Sequence, residues 1–390
     1  MMRISTIAGL LIATMAVSGC QTIHIERARA IDDAAWPVDG QTQRRDRTSE
    51  HTVMPPLELA WEYNAAAGFG PGSPLIIRDQ VLVANRKGEL HAIDLESGKR
   101  SGYKVFNDAI EATPIFASGR LYMTSAWGNR SILAFDADRS SIVWRVDDVP
   151  VEVPVIADGD MVLAVDVEAV VHAYDAADGS ERWQIRLGDR MSVQSAPLLV
   201  APGRLFVATD TGRMVLVDTQ AGRILWQVDS GLPVYASPAA NDARIVVPTT
   251  RGVVLSLDPG TGDEHWRYDS GMETARMSGV ALAGPRVLFG STDTVVRQLD
   301  AVSGRVQWET GVNAVISAPP QLTPGMVWVG TMGRELIGLN GSTGKREWST
   351  ELKGRIKSAM ATTEGSLIVL IEPRYVLKFD SIPNKPEPAP

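Results

Sequence analysis

A motif of the form Asp-x-x-x-Gly-x-x-x-Trp recurs along this chain, and its spacing restricts the possible folds more than any other feature. Four copies are complete: Asp175/Gly179/Trp183, Asp218/Gly222/Trp226, Asp258/Gly262/Trp266 and Asp300/Gly304/Trp308. Three are degenerate. Asp136/Trp144 has Ser140 in the glycine position, Asn340/Gly344/Trp348 replaces the Asp, and Asp94/Gly98 has Gly102 where Trp would stand; Asp380 is alone. The leading residues lie 39 to 43 positions apart over eight units. A period held that constantly is the mark of a radial or linear repeat array.

Within one unit, Ser195–Val200, Arg204–Ala208, Arg213–Asp218 and Arg223–Val228 are short β-rich runs. Pro202-Gly203, Thr211-Gly212 and Ala221-Gly222 separate them as turns. Four antiparallel strands in about 40 residues suit a propeller blade, whereas leucine-rich repeats run about 20–29 residues. The motif Asp accepts hydrogen bonds from nearby backbone N–H groups, and the Gly supplies the positive φ of the reversal. The Trp ends up on the last strand, where burying roughly 150–250 Å² against the next blade stabilises by about 4–6 kcal/mol before entropy. Trp61, Trp144, Trp183, Trp226, Trp266, Trp308 and Trp348 are therefore read as wedges between blades, leaving Trp36, Trp127 and Trp328 unassigned.

The ends of the array predict closure. The last unit has strands near 358–362, 366–371 and 375–380 but no fourth, whereas Leu57–Tyr63 precedes the first unit with a Trp and the alternation of a fourth strand. Pairing 57–63 with the final sheet completes an all-β, eight-bladed propeller over residues 57–380 and removes two free edges.

Outside the repeats, Arg3 and the apolar stretch Ile4–Val17 read as a secretory signal over residues 1–19. That stretch is shorter than the about 20 residues a bilayer span needs. Val17-Ser18-Gly19-Cys20 resembles a bacterial lipobox, which implies acylation of Cys20, and Gln21 resembles the pattern of outer-membrane rather than inner-membrane lipoproteins. Residues 20–56 show no apolar period, and Arg44, Arg45 and Arg47 read as a solvated charge run on a flexible tether, with lipid headgroups as the sharper alternative. Four prolines in 381–390 predict a disordered tail.

The repeat itself resembles the pyrroloquinoline-quinone (PQQ) type propeller repeat, which serves dehydrogenases and binding scaffolds alike. Composition and spacing argue against catalysis. One cysteine, placed at position 20, excludes Cys-based clusters within the chain. His24, His51, His91, His172 and His265 show no metal-ligand spacing, and no Gly-x-Ser-x-Gly elbow is present. Quinoprotein dehydrogenases of this repeat hold their cofactor with calcium ligands that find no match here, so no catalytic residue, metal or cofactor is expected. With 46 acidic against 38 basic side chains, a formal charge of -8 also disfavours non-specific nucleic-acid binding.

Propeller, lipobox and length together resemble the BamB family of the outer-membrane β-barrel assembly machinery. The resemblance implies a periplasmic scaffold on the outer membrane that binds the POTRA domains of BamA through loops on one face. The family's partner loop has leucines and an Arg shortly before a Ser-Ala-Pro strand start. Here Arg190 and Met191 precede Ser195-Ala196-Pro197 at a different spacing. A second family feature, Glu-x-x-Arg-Leu-Ser, resembles Glu273-Thr274-Ala275-Arg276-Met277-Ser278, one blade later than expected. Solvated loop charge is the alternative for both segments. A PQQ- or small-ligand-binding envelope propeller, or a repeat lipoprotein with another partner, is the alternative for the whole chain.

Overall fold

The computed structural model describes residues 22–26, 28, 34–106, 108–125, 129 and 131–382. The signal segment 1–19, Cys20, Trp127 and residues 383–390 of the tail lie outside them. Eight four-stranded antiparallel sheets are arranged as blades. Blades 1 to 7 span 75–105, 115–146, 156–186, 198–229, 239–269, 281–311 and 321–351, and each runs from an inner strand A to an outer strand D. Blade 8 takes A, B and C from 361–381 and its D strand from Leu57–Asn64, which pairs antiparallel with Tyr375–Ser381. The A strands face the axis and neighbour one another, blade 8 against blade 1 included.

The repeat motif does its work at the C–D turn and the D strand. In blade 5, the N–H groups of Gly260 and Thr261 donate to Asp258 Oδ1 at 2.8 and 3.0 Å, and Gly262 N–H closes the turn on the Asp258 carbonyl at 2.9 Å. The same pattern recurs at Asp175, Asp218, Asp300 and Asn340. One residue before each Trp the C–D ladder slips by one, as between Leu216/Trp226 and Val217/Ile224. Such bulges recur in every blade and re-aim the side chain that follows.

Each re-aimed indole lands on the motif glycine of the next blade. Trp61 covers Gly98, Trp144 covers Gly179, and Trp183, Trp226, Trp266 and Trp308 cover Gly222, Gly262, Gly304 and Gly344, each so closely that an added Cβ would collide with the ring. Five of these indole N–H groups donate to a carbonyl of the next blade's turn: Leu95, Ala176, Thr219, Pro259 and Ala301, at 2.9–3.0 Å. Trp348 instead meets Trp328 and Phe379 edge-on. The glycine's role therefore extends beyond positive φ. Ser140 holds the same turn position at φ 54°, and it is the copy faced by Gly102 rather than by a Trp.

Residues 34–56 overturn the expectation of a solvated tether. They line the hub, and the segment touches every blade in order. Trp36 exchanges two backbone hydrogen bonds with Ile76 of blade 1, and Pro37 accepts from Phe116 of blade 2. The Gln43 side chain brackets Ala157 of blade 3, while the carbonyls of Gln43, Arg44, Asp46, Arg47 and Thr52 accept from Leu199, Ala240, Leu282, Leu322 and Gly365 of blades 4 to 8. The A strands' inner edges would otherwise present unpaired backbone groups to the channel, and this segment pairs with them in blades 1 to 7, meeting blade 8 at its A–B turn. Nor is the basic triplet a solvated run: Arg45 is 0% and Arg47 2% exposed, and only Arg44 stays partly exposed, in a surface ion pair with Asp242 at 2.7 Å.

Candidate functional site

The hub segment fills one end of the central channel, and the other end is a cup of about 920 Å³. Its floor includes Asp39 and Arg47, and its wall is made by residues that lead into the A strands, such as Thr113, Pro154, Ser237 and Pro319, with Thr250 and Thr292 from B–C loops. The floor is a buried ionic knot. Asp39 accepts from Arg45 Nη1 at 2.8 Å, from Arg47 Nη2 at 2.9 Å and from the Ser73 N–H at 3.0 Å. Burial acts to raise the Asp39 carboxyl, but Arg47, Arg45 and these hydrogen bonds outweigh it and hold the pKa at about 2. Two guanidinium groups share the Asp39 carboxylate, with Asp46 also acting on Arg47, and Arg276 and Lys357 stand on the wall with Glu152.

The rim is rigid because each D–A loop is tied to a neighbouring B–C loop. Ser192 donates through N–H and Oγ to the Asp210 carboxylate, both at 2.7 Å. Val234 donates to Thr209, and Arg276 exchanges hydrogen bonds with Thr292 at 3.0 Å in each direction. Loops at 187–197, 230–238 and 270–279 thus form three consecutive bosses on the face of the cup's mouth.

The residues read from sequence fall on the first and third of these loops. Arg190, Glu273 and Arg276 are exposed, and Arg276 also lines the cup. Met191 is half-buried against the core of blades 3 and 4. Met277 is a correction: at 4% exposure it packs with Trp266 and Phe289 between blades 5 and 6, so it supports the loop instead of offering an exposed anchor. Sequence reasoning missed Tyr235, on the loop between, and Met272, both exposed large side chains on the same face. A large side chain in a turn-rich segment outside any strand period was the available signal.

The residues present do not fit a calcium–quinone centre. Among the described residues lining the cup, the carboxylates are Asp39, already committed to two arginines, and Glu152, whereas calcium takes about six to eight oxygens, commonly with several carboxylates. Nor, among the described residues, do three or more His, Cys, Asp or Glu side chains gather as a metal site. His91 lies instead within blade 1, where it meets the Tyr63 hydroxyl at 2.8 Å and Glu89 at 3.3 Å, and burial pushes its pKa down. His172 meets Asp166 at 3.1 Å.

Comparison with known proteins bears on family and fold. A family model described as outer membrane protein assembly factor BamB matches residues 56–167, 167–314 and 292–381. The outer membrane protein assembly factor BamB of Nitrosomonas eutropha is 32% identical over 147 residues, a stretch spanning 37% of this chain and 35% of that relative. Among solved structures, BamB from Moraxella catarrhalis superposes with a TM-score of 0.67 at 16% identity, covering 83% of this chain and 99% of the other. Quinohemoprotein alcohol dehydrogenase from Comamonas testosteroni superposes with a TM-score of 0.75 at 13% identity, over 93% of this chain and 84% of that one. Both structural likenesses speak to the fold alone.

Proposed function

The chain belongs to the BamB family of outer membrane protein assembly factors, and from that premise we propose that it is a non-catalytic scaffold, anchored to the periplasmic face of the outer membrane through acylated Cys20. The partner is the periplasmic POTRA region of BamA, held by the loops around the cup. One observation carries this reading: three consecutive loops, each tied down by backbone hydrogen bonds, put Arg190, Tyr235, Met272 and Arg276 on one face of a rigid ring. Arg, Tyr and Met are enriched at interface centres, and a frame already ordered loses little entropy on binding.

The test is recovery of BamA from detergent-solubilised envelopes. Arg190→Glu combined with Arg276→Glu should leave the propeller folded and reduce recovery at least tenfold. Wild-type recovery by the folded double variant would remove these residues from the site, and a wild-type chain that recovers no barrel-assembly subunit would overturn the reading. A second reading, a small anionic ligand in the cup, is favoured by the excess of arginine and lysine around its floor and wall. Free PQQ, a tricarboxylate, would then raise the melting temperature without calcium.

A further inference from the structure

Blade 1 lacks the wedge that joins the other blades, because Gly102 stands at the Trp position. Its neighbour, blade 2, would then keep a gap and a turn carbonyl, that of Ala137, without the indole donor its counterparts have. Residues 22–26 fill both. Thr22 and Ile23 lie against Gly102, where an added Cβ would come within 2.9 Å of Ile23 Cα and 3.1 Å of the Thr22 carbonyl. Ile25 N–H donates to the Ala137 carbonyl at 2.8 Å, and Gln80 Nε2 donates to the His24 carbonyl at 3.3 Å. Ile23 and Ile25 are buried among Leu75, Leu82, Leu133 and Phe135. A piece of main chain thus replaces an indole.

This placement has a geometric consequence for the anchor. Thr22 is two residues after Cys20, a reach of at most about 7 Å. The contacts involve Gln80 at the A–B turn and Ala137 at the C–D turn, so the segment sits on the face opposite the cup's mouth. Beside it, on the outer strand of blade 2, Ile142 and Val143 are 45% and 38% exposed. Arg78, Lys99, Arg100 and Arg139 are exposed around it, but Glu26, Asp79 and Glu96 are exposed there too, which leaves an excess of one positive charge. Net charge therefore contributes little, and contact rests on apolar groups and acyl chains.

We propose that acylated Cys20 holds the propeller by the blade 1–blade 2 edge of its plugged face, with Ile142 and Val143 against the lipid and the cup opening away from the membrane. This rests on the lipid-anchor reading above. The anchor is then a short strut that sets the orientation of the ring, not a long leash.

The acylated chain, purified and reconstituted in phosphatidylethanolamine/phosphatidylglycerol vesicles containing brominated lipid, carries a fluorophore at Ile142→Cys, Val302→Cys or Met272→Cys. These positions report the proposed edge, a distant turn on the same face, and the cup face. The label at position 142 should be quenched several-fold more than the other two. An insertion of about ten Gly/Ser residues between Gln21 and Thr22, spanning roughly 17 Å, should abolish that difference while vesicle flotation persists. Equal quenching at all three sites in a chain that floats would overturn the proposal and leave the anchor standing. Absence of acyl mass on Cys20 together with loss of flotation would overturn both.

Discussion

The circumference of the ring and its hub are held by opposite means. At the circumference, a Trp recurs with a near-constant period in every blade but the first, and each of the six Trp–Gly contacts joins only two neighbouring sheets. At the hub, a single aperiodic segment joins all eight sheets, seven through backbone hydrogen bonds and blade 3 through the Gln43 side chain, and gathers Arg45 and Arg47 on Asp39. The periodic joints are redundant and the hub is unique, so damage should stay local in the first and spread in the second.

The largest effect is therefore expected at the hub. Asp39→Ala leaves Arg45 and Arg47 buried without their counter-charge, and breaking a buried ion pair in this way costs about 3–5 kcal/mol. Equilibrium denaturation should register that loss, and replacing all three residues by apolar ones should recover much of it. A loss below about 1 kcal/mol for Asp39→Ala would mean that the knot is solvated. The same carboxylate predicts an acid limb. Its folded pKa of about 2 lies below the ordinary value of 3.8, so its contribution is complete above pH 3.8 and disappears as the pH falls through 2. The shift corresponds to about 2 kcal/mol, and a variant with the apolar triad should lack that limb in an acid titration followed by circular dichroism.

A single circumferential wedge should matter somewhat less. Trp226→Ala removes a half-buried indole and its 3.0 Å hydrogen bond to Pro259, which places the cost at about 3 kcal/mol, toward the lower end for a buried aromatic. Hydrogen exchange should quicken in blades 4 and 5 and remain unchanged in blades 1 and 8. Equal acceleration around the whole ring would show that the blades do not behave as nearest-neighbour units.

This contrast also explains what could be read from the sequence. Eight blades, the closing strand at Leu57–Asn64 and the turn chemistry of Asp258 and its equivalents were legible, because each leaves a side-chain signature at a regular interval. The hub was not. Its pairing uses main-chain groups of Gln43, Arg44, Asp46 and Arg47, which any residue possesses, so no apolar period marks it and three arginines look like a soluble run. For the rim, the loops could be placed but not ordered by exposure: Met277 and Arg276 are adjacent in sequence, yet one is buried and the other exposed. The bulge before each Trp, which decides that the indole meets the next blade, has no residue type of its own.

The smallest effects separate the two reasons for the motif glycine. If positive φ were the whole cause, Ser140→Gly should stabilise as much as Gly262→Ser destabilises, both reflecting a left-handed penalty of about 1 kcal/mol. The geometry predicts asymmetry instead. A Cβ at position 262 meets Trp226 at 2.7 Å, so Gly262→Ser should cost about 2 kcal/mol, whereas Ser140→Gly should change stability by less than about 1 kcal/mol. Adding Gly102→Trp to Ser140→Gly then rebuilds the missing joint from side chains. Ring stability should stay within about 1 kcal/mol of wild type, because one wedge replaces another, while the Ile25 amide loses its acceptor and exchanges rapidly. Continued protection of Ile25 in that double variant would mean that residues 22–26 are held by something other than the vacancy at Gly102.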